Sequence, residues 1–293
     1  MRIYRGLWSL PVIILSLLKF ASSYYIPIGN HNNTTLQNFA FGSCFGGFLS
    51  TNKTWIFKTI LKNNPQLWIW GGDAAYLDSF SINYFRRSLA LNFTHAENMF
   101  LKTKNDIYYN ELNQKIPTIG VWDDHDYGFN DGNRYYKDKE YIKNLYLDFI
   151  DEPVVSIRRK LNRGIFTSYS FGEINSYKTV KIILLDVRFD KNSLVFDKNP
   201  DVLGILLFIM IGEEQWEWLE NELTSSNETF TFIVSGTQIL PYNRLLTESW
   251  YGASRKRLFS LINKTKKSGI ILLSGDIHAA QLLKTPCIMK GKN

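Results

Sequence analysis

Acidic residues recur in this chain directly after apolar runs, and two of those acidic groups also carry a histidine. Asp73 follows residues 66–70 and a Gly-Gly pair, and Asp123-Asp124-His125 follows residues 116–122. Asp186 ends the run 180–185, Asp276-Ile277-His278 follows 270–273, and Cys44 closes 39–44. One aspartate after a strand is ordinarily a turn residue or a helix cap. Several together, two of them paired with histidine, point to a shared site. Of the four histidines, His125 and His278 fall beside these aspartates, whereas His31 and His95 lie in polar stretches.

The residue types narrow the chemistry. Carboxylates that converge on a small site repel one another and raise their own pKa values unless cations neutralise them. Carboxylate and amide oxygens suit hard ions, imidazole suits zinc or iron, and a thiolate favours softer or more highly charged transition metals. A set that includes Cys44 therefore predicts at least one iron or zinc ion, with an oxygen-liganded second ion beside it.

The elements that must position these groups read as alternating strands and helices. Residues 39–44, 66–70, 116–122, 180–185, 230–234 and 270–273 are short apolar runs bounded by glycine and polar residues, the pattern of strands buried on both faces. Residues 55–61 fit a helix that Pro65 cuts off from the next strand. Residues 213–223 place Trp216, Leu219 and Leu223 on one face, and 254–264 place Leu258, Leu261 and Ile262 inward, so both are amphipathic helices. Residues 203–211 are apolar throughout and too short to span a bilayer, which predicts a buried loop-to-helix packing element. No repeat or heptad pattern is present. The alternation predicts a layered α/β domain with its ligand site at the carboxyl ends of the strands.

Composition sets the outer limits. The chain has 293 residues, 45% of them hydrophobic, enough to bury a sizeable core. Arg2 and Arg5, the apolar run 7–18 and the small residues Ala21, Ser22 and Ser23 read as a signal peptide over 1–22. Removing Arg2, Arg5 and Lys19 with it leaves 31 basic against 27 acidic residues, a net +4. That mild excess suits an anionic substrate and does not argue for a nucleic-acid partner. Asn32, Asn33, Asn52, Asn92, Asn227 and Asn263 each begin an N-x-Thr acceptor triplet, in keeping with a secreted or secretory-pathway protein with no membrane anchor after cleavage. Cys44 and Cys287 are the two cysteines. Either they form a disulfide or Cys44 is a thiolate ligand, and the two readings exclude each other.

Taken in order, Phe-Gly-Ser-Cys (41–44), Gly-Gly-Asp-x-x-Tyr (71–76), Trp-Asp-Asp-His-Asp-Tyr-Gly (122–128), Leu-Asp-x-Arg (185–188), Gly-Glu-Glu-Gln-Trp-x-Trp-Leu (212–219), Gly-Thr-Gln (236–238) and Ser-Gly-Asp-x-His (274–278) resemble the PhoD-like alkaline phosphatase family of the calcineurin-like metallophosphoesterases. The resemblance runs over roughly residues 38–283 and implies one domain over 36–293. It also implies an α/β fold of four layers, α-β-β-α; family members usually continue through more strands after the Ser-Gly-Asp-x-His segment, so either the closing strands are absent or the sequence is incomplete. By resemblance, Cys44, Asp73 and Tyr76 would bind iron, with Asp73 bridging to calcium; zinc, manganese or magnesium are alternatives. Asp124, Asn130, Asp276 and His278 match further ligands or phosphate contacts, and the choice between Asp123 and Asp124 as the metal-touching residue stays open. His125 matches the histidine beside the leaving-group oxygen, and Arg188 an arginine that either holds phosphate or braces the site.

The implied activity is hydrolysis of a phosphate monoester or diester. Cations offset the negative charge that shields phosphorus and acidify the attacking water, and a histidinium such as His125 protonates the departing oxygen. The competing expectation is a catalytically impaired metal- or partner-binding glycoprotein on the same fold.

Overall fold

A computed structural model describes residues 30–45, 54–78, 93–192, 209–240 and 248–284. Eight strands lie among them: β1 Asn30–Asn32, β2 Ala40–Gly42, β3 Trp68–Gly71, β4 Thr118–Val121, β5 Thr167–Phe171, β6 Val180–Leu184, β7 Phe230–Ser235 and β8 Ile270–Ser274. They form two sheets. One is the parallel trio β2-β3-β4; the other is mixed, in the order β1-β5-β6-β7-β8 with only the β5–β6 pair antiparallel. The helices are α1 Trp55–Leu61, α2 Phe93–Lys104, α3 Ile107–Lys115, α4 Asp124–Tyr127, α5 Lys139–Phe149, α6 Ile157–Lys160, α7 Glu213–Ser225 and α8 Gly252–Thr265.

Strand periodicity sorts the side chains into three apolar clusters, because successive residues point to opposite faces of a sheet. Trp68 and Trp70 pack with Phe57, Tyr109, Tyr146 and Phe149 from the first set of helices. Their neighbours Leu67 and Ile69 turn the other way, with Ile119 and Val121, to meet Tyr169, Phe171, Ile182 and Leu184 of the mixed sheet. Ile183 and Ile233 face a third cluster with Trp216, Leu219 and Leu223 of α7 and Leu258 and Leu261 of α8. The Trp70 indole Nε1 donates to the Tyr109 hydroxyl at 2.9 Å, whereas Trp68 Nε1, Trp122 Nε1 and the Tyr146 hydroxyl are buried without a hydrogen-bond partner among the described residues.

The expected strands are all present, with β2, β3, β4 and β6 shorter than predicted. The two amphipathic helices extend slightly past their predicted limits, and Trp216, Leu219, Leu223, Leu258 and Leu261 are buried as expected. Strand β5 and helices α2, α3 and α5 were not anticipated. Of the run 203–211, Met210 and Ile211 are buried in the α7–α8 cluster, and 203–208 lie outside the described residues. The expected signal peptide, Asn52, Asn92 and Cys287 also lie outside them. Asn33, Asn227 and Asn263 are exposed and Asn32 is half-buried. Among the described residues, no helix is long and apolar enough to cross a membrane.

Candidate metal centre

The parallel strands deliver the acidic groups to one place. Past β2 and β3 the ladder continues for two more bonds, Cys44 N–H to Gly72 O at 3.2 Å and Phe45 N–H to Asp73 O at 2.8 Å, which aligns Cys44 with Asp73. Beyond β4 the chain turns at once into α4, where the Asp126 carboxylate accepts the backbone N–H groups of Asp123 at 3.3 Å and Ala75 at 2.7 Å. Glycine is needed where these turns meet: a Cβ on Gly72, which has φ 94°, would lie 2.6 Å from the Asp123 Cβ, and one on Gly236 would lie 2.7 Å from the Asp123 Cγ. Cys44, Asp73, Asp131, Asp276 and His278 all have left-handed φ, between 54° and 83°. Non-glycine residues in that region carry a conformational cost, and such residues cluster at functional sites.

Among the described residues, side-chain donors gather into three overlapping groups, in each of which the candidate ligand atoms lie within 4.8 Å of one another. The groups are Cys44, Asp73 and His278; Asp73, Asp124 and His125; and Asp124, Asp131 and Glu248. Asp73 belongs to two of them. The Cys44 Sγ is 3.7 Å from Asp73 Oδ2, and the Tyr76 hydroxyl is 2.8 Å from His278 Nε2. Cys44 carries a free thiol.

Asp123 is held differently. Its Oδ1 accepts from Arg188 Nε at 2.5 Å and from Thr237 Oγ1 at 3.1 Å, while its Oδ2 is buried without a hydrogen-bond partner. Arg188 also donates through Nη2 to Glu248 at 2.6 Å and to Thr237 at 2.9 Å, and Glu248 pairs with buried Lys191. Arg188 Nη1 is buried without a hydrogen-bond partner among the described residues. Asp124 accepts the backbone N–H of His125 at 3.1 Å on one oxygen and that of Asp131 at 2.8 Å on the other. His125 places Nδ1 2.7 Å from Asp78 and stacks on Tyr76 with ring centroids 4.3 Å apart. Asn130 is exposed, and its backbone N–H donates to Asp78 at 2.9 Å.

Asp186, the fifth strand-end acid, does not join the cluster. It accepts the backbone N–H groups of Ile165, Arg188 and Phe189 at 2.8, 2.9 and 3.0 Å, so its work is to hold two loops together.

The charges do not balance within the cluster. Burial, then the charges of Asp124 and Asp123, pushes Asp73 far above the carboxylate range. Burial and the same two neighbours push Asp276 up to about 8, and burial also raises Asp123 and the Cys44 thiol. Burial works against Asp124 too, but Arg188 and His125 outweigh it and hold Asp124 down at about 2. His125 is raised to about 9: burial opposes its charge, and the Asp78 hydrogen bond with the charges of Asp124 and Asp78 overcomes that opposition. Burial and the Asp73 charge lift Tyr76 well above the ordinary phenol range. Multivalent cations would reverse each unfavourable term. The orphaned Oδ2 atoms of Asp123 and Asp276 and the shared Asp73 fit such ions.

The family model for PhoD-like phosphatases matches residues 39–288. This chain belongs to that family. Alkaline phosphatase D of Bacillus subtilis (strain 168) is 20% identical over 210 residues, 62% of this chain and 34% of the relative. A solved structure of PhoD matches with a TM-score of 0.63 and 19% identity, covering 84% of this chain and 52% of that one. The PhoD-like chain thus shares the mixed α/β fold while spanning about a third of the curated relative and about half of the solved one.

Against this PhoD-like frame, sequence reading missed Asp78, Asp131, Lys191 and Glu248. Asp131 had a signal, an Asn-Asp-Gly turn just after the Asp-Asp-His motif. Asp78 stands two residues past Tyr76 with none. Lys191 stands three residues past Arg188 and Glu248 follows no apolar run, and only folding brings Glu248 to the pair.

Proposed function

We propose that this chain is a metal-dependent phosphoric ester hydrolase with its active site at Cys44, Asp73, Asp124, His125, Asp276 and His278. The observation that carries the reading is the overlap of donor groups at Asp73, which offers atoms to Cys44 and His278 on one side and to Asp124 and His125 on the other. Cys44, Asp73, Tyr76 and His278 would hold the softer or more highly charged ion, iron by family resemblance. Asp73, Asp124, Asp276 and Asn130 offer oxygens for a harder one, calcium by the same resemblance, with zinc, manganese or magnesium as substitutes. Ions bound there would polarise phosphoryl oxygens and make water a competent nucleophile near neutral pH.

The protein's own groups supply the remainder. His125, fixed by Asp78 through Nδ1, is placed to give a proton to the departing oxygen. Arg188 holds Asp123 in place and offsets its charge, and Thr237 shares that carboxylate oxygen. Asp126 ties α4 to the turn after β3, which keeps Asp73 and Asp124 in register. In this reading residues 36–293 form one domain of four layers, helices, sheet, sheet and helices, supported by the three separate apolar clusters. Exposed acceptor asparagines at 33, 227 and 263 suit passage through the secretory route.

The test is metal analysis of the purified chain beside hydrolysis of 4-nitrophenyl phosphate and bis(4-nitrophenyl) phosphate. Stoichiometric metal with turnover of either ester is the expected result. Metal without turnover would leave a metal-binding protein on a phosphatase fold, and protein that takes up no metal would overturn the assignment.

A further inference from the structure

We propose that Asn227 carries an N-linked oligosaccharide whose first sugars lie over Tyr177 and Phe230, at the pole of the mixed sheet opposite the metal centre. Asn227 begins the triplet Asn-Glu-Thr, is exposed, and stands in the irregular link between α7 and β7. The residues around it are pinned. The Ser226 hydroxyl donates to Glu228 Oε2 at 2.6 Å, the Ser170 hydroxyl donates to the other Glu228 oxygen, and the Thr229 hydroxyl donates to the Tyr177 carbonyl at 3.0 Å.

Strand register fixes the place. Asn32, Phe171, Val180 and Phe230 form one row across β1, β5, β6 and β7. That row is the amino end of β6 and β7, whereas Asp186 and Asp276 follow the carboxyl ends of β6 and β8, which run parallel to β7. The six residues of β7 put about 17 Å between the two ends. Asn33 follows the same row, and Asn263 lies in the last turn of α8, which leads to the amino end of β8. Every exposed acceptor among the described residues therefore stands at this pole, away from the site.

The row is also where the core lies open. Phe171 and Val180 are buried between the sheets, but Phe230, on the same face beside them, is 46% exposed. The Phe230 N–H donates to Thr179 O at 3.2 Å, which brings it to the turn holding Tyr177, itself 94% exposed. Apolar surface of this kind, rimmed by polar residues, marks a place that something covers. The sequence names the cover: three residues, at most about 11 Å of chain, separate Asn227 from Phe230. A pyranose can lay its C–H face on an aromatic ring and keep its hydroxyls in water, which suits two rings at a polar rim. The attachment is a substitution. Asn227 Nδ2 bonds to the anomeric carbon of a lipid-linked oligosaccharyl diphosphate, the anomeric C–O bond breaks, the diphosphate leaves with the electron pair, and the amide gives up one proton.

The proposal rests on the secretory reading above and not on turnover, so the full chain is to be secreted from a eukaryotic host and its glycopeptides weighed by mass spectrometry. Asn227 is expected to carry sugar in most molecules. Asn227→Gln, which accepts no sugar, should lower the midpoint of thermal unfolding by about 2 to 4 °C. In a Tyr177→Ala, Phe230→Ala background the same change should shift it much less, because the covered rings are gone. Chymotrypsin should cut after Tyr177 faster in Asn227→Gln than in the wild type. Hydrolysis of 4-nitrophenyl phosphate by Asn227→Gln should stay within about twofold of the wild type, as expected for a group across the sheet from the metal centre.

A secreted chain that is bare at Asn227 would overturn the assignment and leave the secretory reading standing. A chain kept in the cytosol, with no sugar at any acceptor, would overturn both. Sugar at Asn227 with the same thermal loss in both backgrounds would overturn the cover over Tyr177 and Phe230. A dimer in analytical ultracentrifugation that the ring variants dissociate would give those rings to a second copy instead.

Discussion

Two strand ends in this molecule carry an aspartate in the same sequence setting and use it in opposite ways. After β6, Asp186 is saturated by three backbone N–H groups from two loops and has no work left to do. After β3, Asp73 touches one backbone N–H at 3.3 Å and otherwise faces Cys44, Asp124, His125 and His278. A carboxylate met by the backbone around it is satisfied where it stands, whereas carboxylates crowded together repel one another, a repulsion that a cation would relieve. Neither burial nor position after a strand separates the two. The partners do.

The sharpest way to break the comparison is at Asp73 itself. Asp73→Asn leaves the side-chain volume and one oxygen but removes the charge shared by two donor groups. Neutralisation of phosphoryl charge by metal contributes several kcal/mol, so hydrolysis of 4-nitrophenyl phosphate should fall by about 1000-fold or more. Metal content should fall with it, while circular dichroism retains the native signal. A variant that kept its full metal complement would place Asp73 in the same class as Asp186.

The mirror experiment is Asp186→Ala, which strands three buried N–H groups. Each unsatisfied buried donor costs about 1 kcal/mol or more, so unfolding stability should drop by about 3 kcal/mol in urea titrations. Metal per folded molecule should not change, because the Arg188 side chain is held separately by Asp123, Thr237 and Glu248. Asp186→Asn retains one acceptor oxygen and should lose less. Metal loss in parallel with stability would show that the two strand ends are one unit.

How far the sequence foretold these differences depends on what surrounds each residue. Strands β3, β4 and β6 are legible because every residue in them is buried, which leaves runs dominated by apolar and small residues, interrupted in β6 by Lys181. Strand β5, Thr-Ser-Tyr-Ser-Phe, conceals itself: Tyr169 and Phe171 point into the core, while Ser168 and Ser170 turn outward to Glu222 and Glu228. Its polar face needs partners from elsewhere in the chain, and no local pattern announces them. Helix α3 hides in the same way, since Tyr109 and Leu112 are its buried residues amid Asn, Glu, Gln and Lys, and its clearest local sign is the Asp106 cap. Cys44, Asp73, Asp124, His125 and His278, which lie together as potential donors, and Asp276 were singled out by their motifs. Asp78 and Glu248 were not, because each acquires its role from a partner 47 or 60 residues away.

Cation removal probes the comparison without changing a residue. The wild-type chain in chelator should unfold at lower temperature than the chain with added metal. At a metal concentration about 100 times the dissociation constant, the gain is about 2.7 kcal/mol. Asp186→Ala should gain as much as the wild type from its lower starting point, and Asp73→Asn should gain little. Calorimetry with and without metal on the three proteins gives the answer directly.

A third acid sets the scale at the small end. Glu213, in the first turn of α7, accepts both guanidinium nitrogens of Arg257 from α8 at 2.6 and 2.8 Å, and its side chain is 71% exposed. The arginine plane also lies 4.6 Å from the Trp216 ring. Water already solvates the Glu213 carboxylate and salt screens it, so the geometry of the pair overstates its value. Glu213→Gln should therefore shift stability by less than about 1 kcal/mol, with a smaller shift in high salt, and leave metal content untouched. Contact distance does not rank them: the exposed Glu213 makes contacts as short as those of Asp186, and Asp73 has only long ones, 3.3 Å to a backbone N–H and 3.7 Å to the Cys44 Sγ. What ranks them is the cost of leaving each charge alone: modest in water at Glu213, larger inside a saturated backbone cage at Asp186, and largest among the other buried carboxylates at Asp73. A Glu213 effect as large as that of Asp186 would break this order and make geometry, rather than solvation, the quantity that matters.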